Sequence, residues 1–126
     1  MSIINNLINY MLANHMYSEL AEIKIILGKF KADKSTRESY VLGVPSFYGL
    51  HDIVDFLISR GFAVNAINPQ NGFTALHEAS VGGEVKVAKL LIHNKANISI
   101  CDQLGETPLD KARSFSRREI IELLTD

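Results

Sequence analysis

The sequence has one cysteine, three prolines and no tryptophan in 126 residues, and its charges nearly cancel. A lone Cys101 excludes an internal disulfide framework and suits a reducing compartment, so the expected location is the cytoplasm, or a host cytoplasm or nucleus for a chain of viral or bacterial origin. Thirteen Lys and Arg against fourteen Asp and Glu leave no basic field to hold nucleic acid or an anionic membrane. A long uninterrupted apolar run is missing too. The first eighteen residues carry no Asp, Glu, Lys or Arg, but Asn5, Asn6, Asn9 and Asn14 break their apolar character. With no cationic start and no small-residue cleavage pattern, neither a signal peptide nor a membrane span is expected. What remains is one domain's length of chain, 47% hydrophobic and 21% charged, able to bury a core.

Catalytic and metal motifs are equally scarce. No two histidines stand at metal-ligand spacing, and Cys101 has no cysteine nearby, so no zinc or other cofactor is expected. There is no G-x-x-x-x-G-K-[ST], G-x-G-x-x-G or G-x-S-x-G. Asp52 and Asp55 could face one way on a helix as an acid–base pair, but a solvated helix face, with carboxylates favoured by the dipole near the helix start, is the better reading. Lys111, Arg113, Arg117 and Arg118 cluster near the end of the sequence, interleaved with Asp110, Glu119, Glu122 and Asp126. That is the pattern of a mixed-charge solvated face, and no nucleic-acid partner is expected. The residues give no ground for an enzyme.

Internal repetition is what the sequence does have. Gly72, Thr74, Leu76 and Ala79 recur as Gly105, Thr107, Leu109 and Ala112, each 33 residues later. Val87, Leu90 and Leu91 recur at the same offset as Ile120, Leu123 and Leu124. A weaker copy precedes them: Ile53, Phe56, Leu57 and Ile58 lie 34 residues before Val87, Leu90, Leu91 and Ile92. The extra residue falls in the loop Asn68-Pro69-Gln70-Asn71, one longer than Asp102-Gln103-Leu104. The opening of the weak copy is degenerate, with Tyr40-Val41-Leu42-Gly43 in place of T-A-L-H and T-P-L-D, and Pro45 in place of alanine.

The local chemistry predicts helix pairs. Thr74 and Thr107 are placed as N-caps, and Pro108 falls at a first helical position, where its missing N–H costs nothing. Ser116-Arg117-Arg118-Glu119 reads as a capping box for the last helix. Gly49 and Gly83 mark inter-helix turns, and Val87, Leu90 and Leu91 form an apolar stripe. Ile4, Leu7, Ile8, Met11 and Leu12, then Leu20, Ile23, Ile26 and Leu27, predict another pair over residues 1–28, with Gly28 as a stop and a charged loop from Lys29 to Ser39.

With its 33-residue period and T-P-L-H-x-A pattern, the sequence resembles the ankyrin-repeat family over residues 38 to 126. The resemblance implies an all-α solenoid of about four helix pairs joined by finger-like turns. As a single domain it divides into an atypical N-terminal helix pair and loop (1–37), a degenerate repeat (38–67), a repeat (68–101) and a C-terminal capping repeat (102–126). It also implies that His77 hydrogen-bonds the backbone of the next turn, leaving it neutral and without a catalytic part. At the place of Asn65, similar repeats are hydroxylated on asparagine by a dioxygenase, although a turn-stabilising asparagine is the simpler reading. Ser114 and Ser116, beside arginines, are candidate phosphorylation sites.

Members of the family bind partner proteins on the concave side of the stack. The residues here at the corresponding positions are Pro69, Gln70, Asn71 and Phe73, then Gln103, Leu104 and Glu106, on the fingers, with Thr36, Arg37 and Ser39 in the weak copy. On the first helices they are Phe47 and Tyr48, Val81 and Gly82, and Ser114 and Phe115. The scaffold needs no large apolar groups there, yet Phe47, Tyr48, Phe73, Val81, Leu104 and Phe115 fill six of the positions, as an interface core would. The expected function is therefore a monomeric, non-catalytic module binding a partner protein through these residues and Glu106. The alternative is a masking inhibitor, a viral or bacterial mimic of a host ankyrin inhibitor, that occludes its target.

Overall fold

In a computed structural model of the chain, residue 14 and residues 40–125 are described. The expected N-terminal helix pair, its charged loop and the finger residues Thr36, Arg37 and Ser39 lie outside the described residues. From Tyr40 onward the described elements are all helical: α1 (Gly43–Phe47), α2 (His51–Ser59), α3 (Ala75–Gly82), α4 (Val85–His93), α5 (Pro108–Ser114) and α6 (Arg118–Thr125). They form three helix pairs in two layers. The first helices α1, α3 and α5 pack side by side, and the second helices α2, α4 and α6 pack behind them.

Capping starts the two well-formed first helices. Thr74 takes an extended backbone conformation, and its hydroxyl accepts from the backbone N–H of His77, while the His77 ring accepts from the Thr74 N–H. Thr107 and Asp110 make the same reciprocal pair, with Pro108 at the first helical position. The capping box expected at Ser116 does not form. Ser116 has a left-handed backbone (φ 55°), and α6 starts two residues later, at Arg118. It closes the end of α5 and does not open α6: its N–H donates to the Arg113 carbonyl. In the earlier units, the same left-handed place is held by Gly49 and Gly83.

One core runs through the stack. Val54 and Leu57 of α2, Val87, Ala88 and Leu91 of α4, and Ile120 and Leu124 of α6 are buried against Leu42, Leu76, Ala79 and Ala112 of the first layer. These are the stripe positions at three- and four-residue spacing. A helix pair this short has apolar residues on both flanks, so only stacking removes them from water.

The fingers stack as well. Asn68 and Phe73 close one hairpin (2.8 Å), and Asp102 and Glu106 close the next (2.8 Å). The Gly72 N–H reaches the Asn68 carbonyl, four residues back, and the Gly105 N–H reaches Asp102, three back, which locates the extra residue of the longer loop. Gln103 then joins the two fingers, its N–H to the Asn71 carbonyl (3.0 Å) and its amide to the Pro69 carbonyl (3.3 Å). Gly72 makes this approach possible, since its φ is +78° and a Cβ there would sit 2.8 Å from the Gln103 nitrogen.

Candidate protein-binding surface

The C-terminal ends of the first helices carry the first row of candidate residues. Tyr48, Gly82 and Phe115 occupy equivalent places in three successive units, with Phe47, Val81 and Ser114 one position earlier. Phe47 and Tyr48 are 38% and 47% exposed and meet edge to face, ring centroids 5.1 Å apart. Phe115 is 50% exposed. Val81 is only half-buried, and its carbonyl accepts from the Arg117 guanidinium (3.0 Å). Gly82 is a backbone floor against its neighbour: a Cβ there would lie 2.5 Å from the Phe47 carbonyl oxygen.

The finger tips carry the second row. Leu104 stands 79% exposed at the tip of the last finger, its N–H held by the Asp102 carboxylate (2.9 Å). Phe73 departs from the exposed row that the sequence suggests. It is half-buried, stacked on the His77 ring (centroids 5.2 Å) and covered by the Lys111 ammonium, 5.2 Å from the ring centroid. Glu106 likewise has an internal partner, since its carboxylate accepts from Lys111 (2.7 Å). Two further exposed apolar residues, Ile67 and Ile98, belong to loops between the units. Nothing in their sequence spacing marks them, because their exposure is set by the turns of the loops.

Beneath the fingers lies a polar network that joins successive units. The His77 Nδ1 accepts from the Thr74 N–H (3.1 Å), which assigns the proton to Nε2, and Nε2 donates to the Glu106 carbonyl (2.9 Å). Burial holds the imidazole below its ordinary pKa, outweighing that carbonyl. The Lys111 ammonium sits between the Glu106 and Asp102 carboxylates (2.7 and 3.1 Å), and its hydrogen bond to Glu106 raises its pKa. Asp102 is buried, yet its carboxyl is held below the usual range by the Glu106 and Leu104 N–H groups and Lys111, which together outweigh desolvation. Every charge here has an internal partner, so the network performs a structural task.

The remaining polar residues are spread out. His51 and His93 are exposed, and the His51 Nε2 faces the Asp52 carboxylate beside it (3.2 Å). Together with Asp55, Lys86, Lys89 and Leu90, the two histidines line an open cleft of about 500 Å³ on the second layer. Among the described residues, no group of three His, Cys, Asp or Glu side chains could hold a metal ion. Among the same residues, no helix is long and apolar enough to cross a membrane. Asn65 uses its amide to tie one loop to the next, donating to the Lys95 carbonyl (3.3 Å) and accepting from the Asn97 N–H (2.8 Å).

Comparison with known proteins agrees with this architecture. A family model for ankyrin repeats (3 copies) matches residues 42–126. The ARF GTPase-activating protein GIT2 of Rattus norvegicus is 39% identical over 70 residues, which is 56% of this chain and 9% of that protein. An ankyrin repeat protein of Rickettsia bellii is 36% identical over 76 residues, 60% of this chain and 41% of that protein. The liver isoform of mitochondrial glutaminase from Rattus norvegicus is 38% identical over 72 residues, 53% of this chain and 12% of that protein. The chain thus spans less than half the length of each of these relatives.

Proposed function

From a chain that belongs to the ankyrin-repeat family, a family of protein-interaction modules, we propose a non-catalytic module that binds its partner across the ends of the first helices and the finger tips. The observation that carries this reading is the exposure of Phe47, Tyr48, Leu104 and Phe115 in positions that the repeat itself leaves free. Large apolar groups of this kind are poorly solvated by water when left exposed. Phe73, Lys111, Glu106 and His77 support the surface from below by fixing one finger to the next unit. A surface fixed in this way loses little conformational entropy on binding. Two relatives with different named activities, a GTPase-activating protein and a glutaminase, each match little more than half of the chain, which favours a shared fold over a shared chemistry. The lone exposed Cys101 suits the cytoplasm.

The reading is tested by affinity capture from native cell extract with the wild-type chain and with Tyr48→Ala plus Leu104→Ala. Circular dichroism establishes that both are equally helical. A protein retained by the wild type and lost from the folded variant is the expected result. Truncating anchors of this kind costs about 1–4 kcal/mol each, enough to abolish capture. Equal retention of the same proteins by both would place the interface elsewhere.

A further inference from the structure

The row of first-helix ends has a shape and a charge distribution of its own. Tyr48 and Phe115 stand at equivalent positions two units apart, and the residue between them is Gly82. Neighbouring helices pack about 8–10 Å apart, so the two aromatic positions are separated by about 16–20 Å, with Gly82, packed against the Phe47 carbonyl, and the side-chain stem of Glu84 between them. That is a slot wide enough for one peptide segment, since a helix with its side chains is about 10–12 Å across.

The two ends of the slot differ in charge. At the Phe115 end, Arg113, Arg117 and Arg118 are all exposed, with the exposed carboxylates of Glu119 and Glu122 on the same helix as Arg118. The Arg117 guanidinium is anchored by the Val81 carbonyl and lies beside Gly83, so it borders the floor of the slot. Arg117, Arg118 and Glu119 line a shallow cleft of about 190 Å³ beside Gly83. Other charges nearby are already paired within the protein: Asp110 in its capping box, Lys111 with Asp102 and Glu106. At the Tyr48 end stands Glu84, whose carboxylate lies over Gly49.

We infer that this slot receives a partner segment in which a bulky apolar side chain is followed by carboxylates, the apolar group seated on Gly82 between Tyr48 and Phe115 and the carboxylates meeting Arg113, Arg117 and Arg118. The inference rests on the binding surface proposed above and names the chemistry of its partner. Desolvating an apolar side chain between two aromatic rings supplies the attraction, and the arginine forks supply direction by bidentate contacts to carboxylates. The opposite orientation of the segment would set its carboxylates against Glu84.

Panning a phage library of random dodecapeptides on the intact chain tests this, with enriched peptides resynthesised and their affinity read by fluorescence anisotropy. The expected peptides carry Leu, Ile, Phe or Trp followed by Asp or Glu, and bind more weakly as salt is raised. R113E/R118E should weaken them by about tenfold or more, and Phe115→Ala by a similar factor. The neutral pair R113Q/R118Q, expected to show a smaller loss, serves if charge reversal disturbs helicity. Enriched peptides without acidic residues, or acidic ones that bind R113E/R118E as well as the wild type, overturn the inference. If those peptides are still lost on Tyr48→Ala and Phe115→Ala, the binding surface survives that failure. Peptides indifferent to every variant, or no enrichment at all, would overturn the inference, and the capture experiment with Tyr48→Ala plus Leu104→Ala then decides the binding surface on its own. An oligothymidylate that binds as tightly and is lost with the same arginines would assign the cluster to phosphate and overturn the inference as well.

Discussion

His77 is the residue through which pH acts on this fold. Its Nδ1 must be bare to accept from Thr74, and Nε2 must carry the proton that the Glu106 carbonyl receives. Burial lowers its pKa in the folded protein, so the unfolded chain takes up a proton first as pH falls. The stability supplied by the neutral ring is fully present above about pH 6.5 and declines below it, by at most about 1.4 kcal/mol per pH unit. Urea melts between pH 7.5 and 5.5 should show this fall in the wild type, and His77→Gln should flatten it. Glu78 acts with the opposite sign: burial raises its pKa, so the folded form takes up its proton first and acidification stabilises through that group. Glu78→Gln separates the two contributions. Ser116 offers a second test at this scale. A left-handed backbone costs a residue with a Cβ about 1–2 kcal/mol, while glycine gives back about 0.5–1 kcal/mol through its freedom in the unfolded chain. Ser116→Gly, restoring what Gly49 and Gly83 have in the earlier units, should therefore raise stability by about 0.5–1 kcal/mol in a urea titration.

At the scale of elements, the degenerate first repeat has a physical explanation. Thr74 and His77 make the capping pair of α3, and the corresponding residues before and in α1 are Tyr40 and Gly43. The Tyr40 ring lies over Gly43, where any Cβ would overlap it. Tyrosine at the position aligned with Thr74 thus fills the space over Gly43, the position aligned with His77. It also makes the bond to the following repeat: the Tyr40 hydroxyl donates to the Glu78 carboxylate (3.0 Å), as His77 reaches the Glu106 carbonyl. Gly43→His alone should be destabilising by about 1–3 kcal/mol, because the new ring meets Tyr40. Tyr40→Thr alone leaves a void and takes away the partner of Glu78. Combined, they should recover much of the loss, and a double-mutant cycle would read a coupling of about 0.5–3 kcal/mol. This exchange explains what the sequence concealed. The period, the stripe on the second helices and the caps at Thr74 and Thr107 were legible because each depends on spacing within one unit. Tyr40 and Gly43 looked like two lost motif positions, since their relation exists only in space. Phe73 looked like an exposed finger residue because Lys111, which covers it, comes from the next unit. Ser116 matched a capping pattern, but the end of α5 had already fixed its backbone.

For the whole molecule, stability is set by how many neighbours each unit has. Leu91 of α4 and Leu124 of α6 are equivalent positions, but the pair α3/α4 is flanked on both sides and α5/α6 has a described neighbour on one side only. The outer face of α5/α6 is polar to match: Arg113 stands where α3 has the buried Ser80, Arg118 where α4 has Val85, and Thr125 where α4 has Ile92. Such a face can meet water without exposing the apolar stripe. In a stack of this kind, stability is close to a sum of unit terms and interface terms, and removing a side chain that serves two interfaces costs more than removing one that serves a single interface. Leu91→Ala should therefore cost about 4–5 kcal/mol, near the upper end for a buried leucine, and Leu124→Ala about 2–3 kcal/mol. Hydrogen exchange should follow the same order, with the amides of α6 opening before those of α4. Equal costs for the two leucines, with equal exchange rates, would show that the units unfold as one block and that the polar outer face contributes nothing to the gradient. A steep gradient would mean that the surface bearing Phe115 belongs to the least stable unit. A partner bound there would then stabilise the α5/α6 unit in proportion to its affinity, which a thermal melt with and without the selected peptide would read directly.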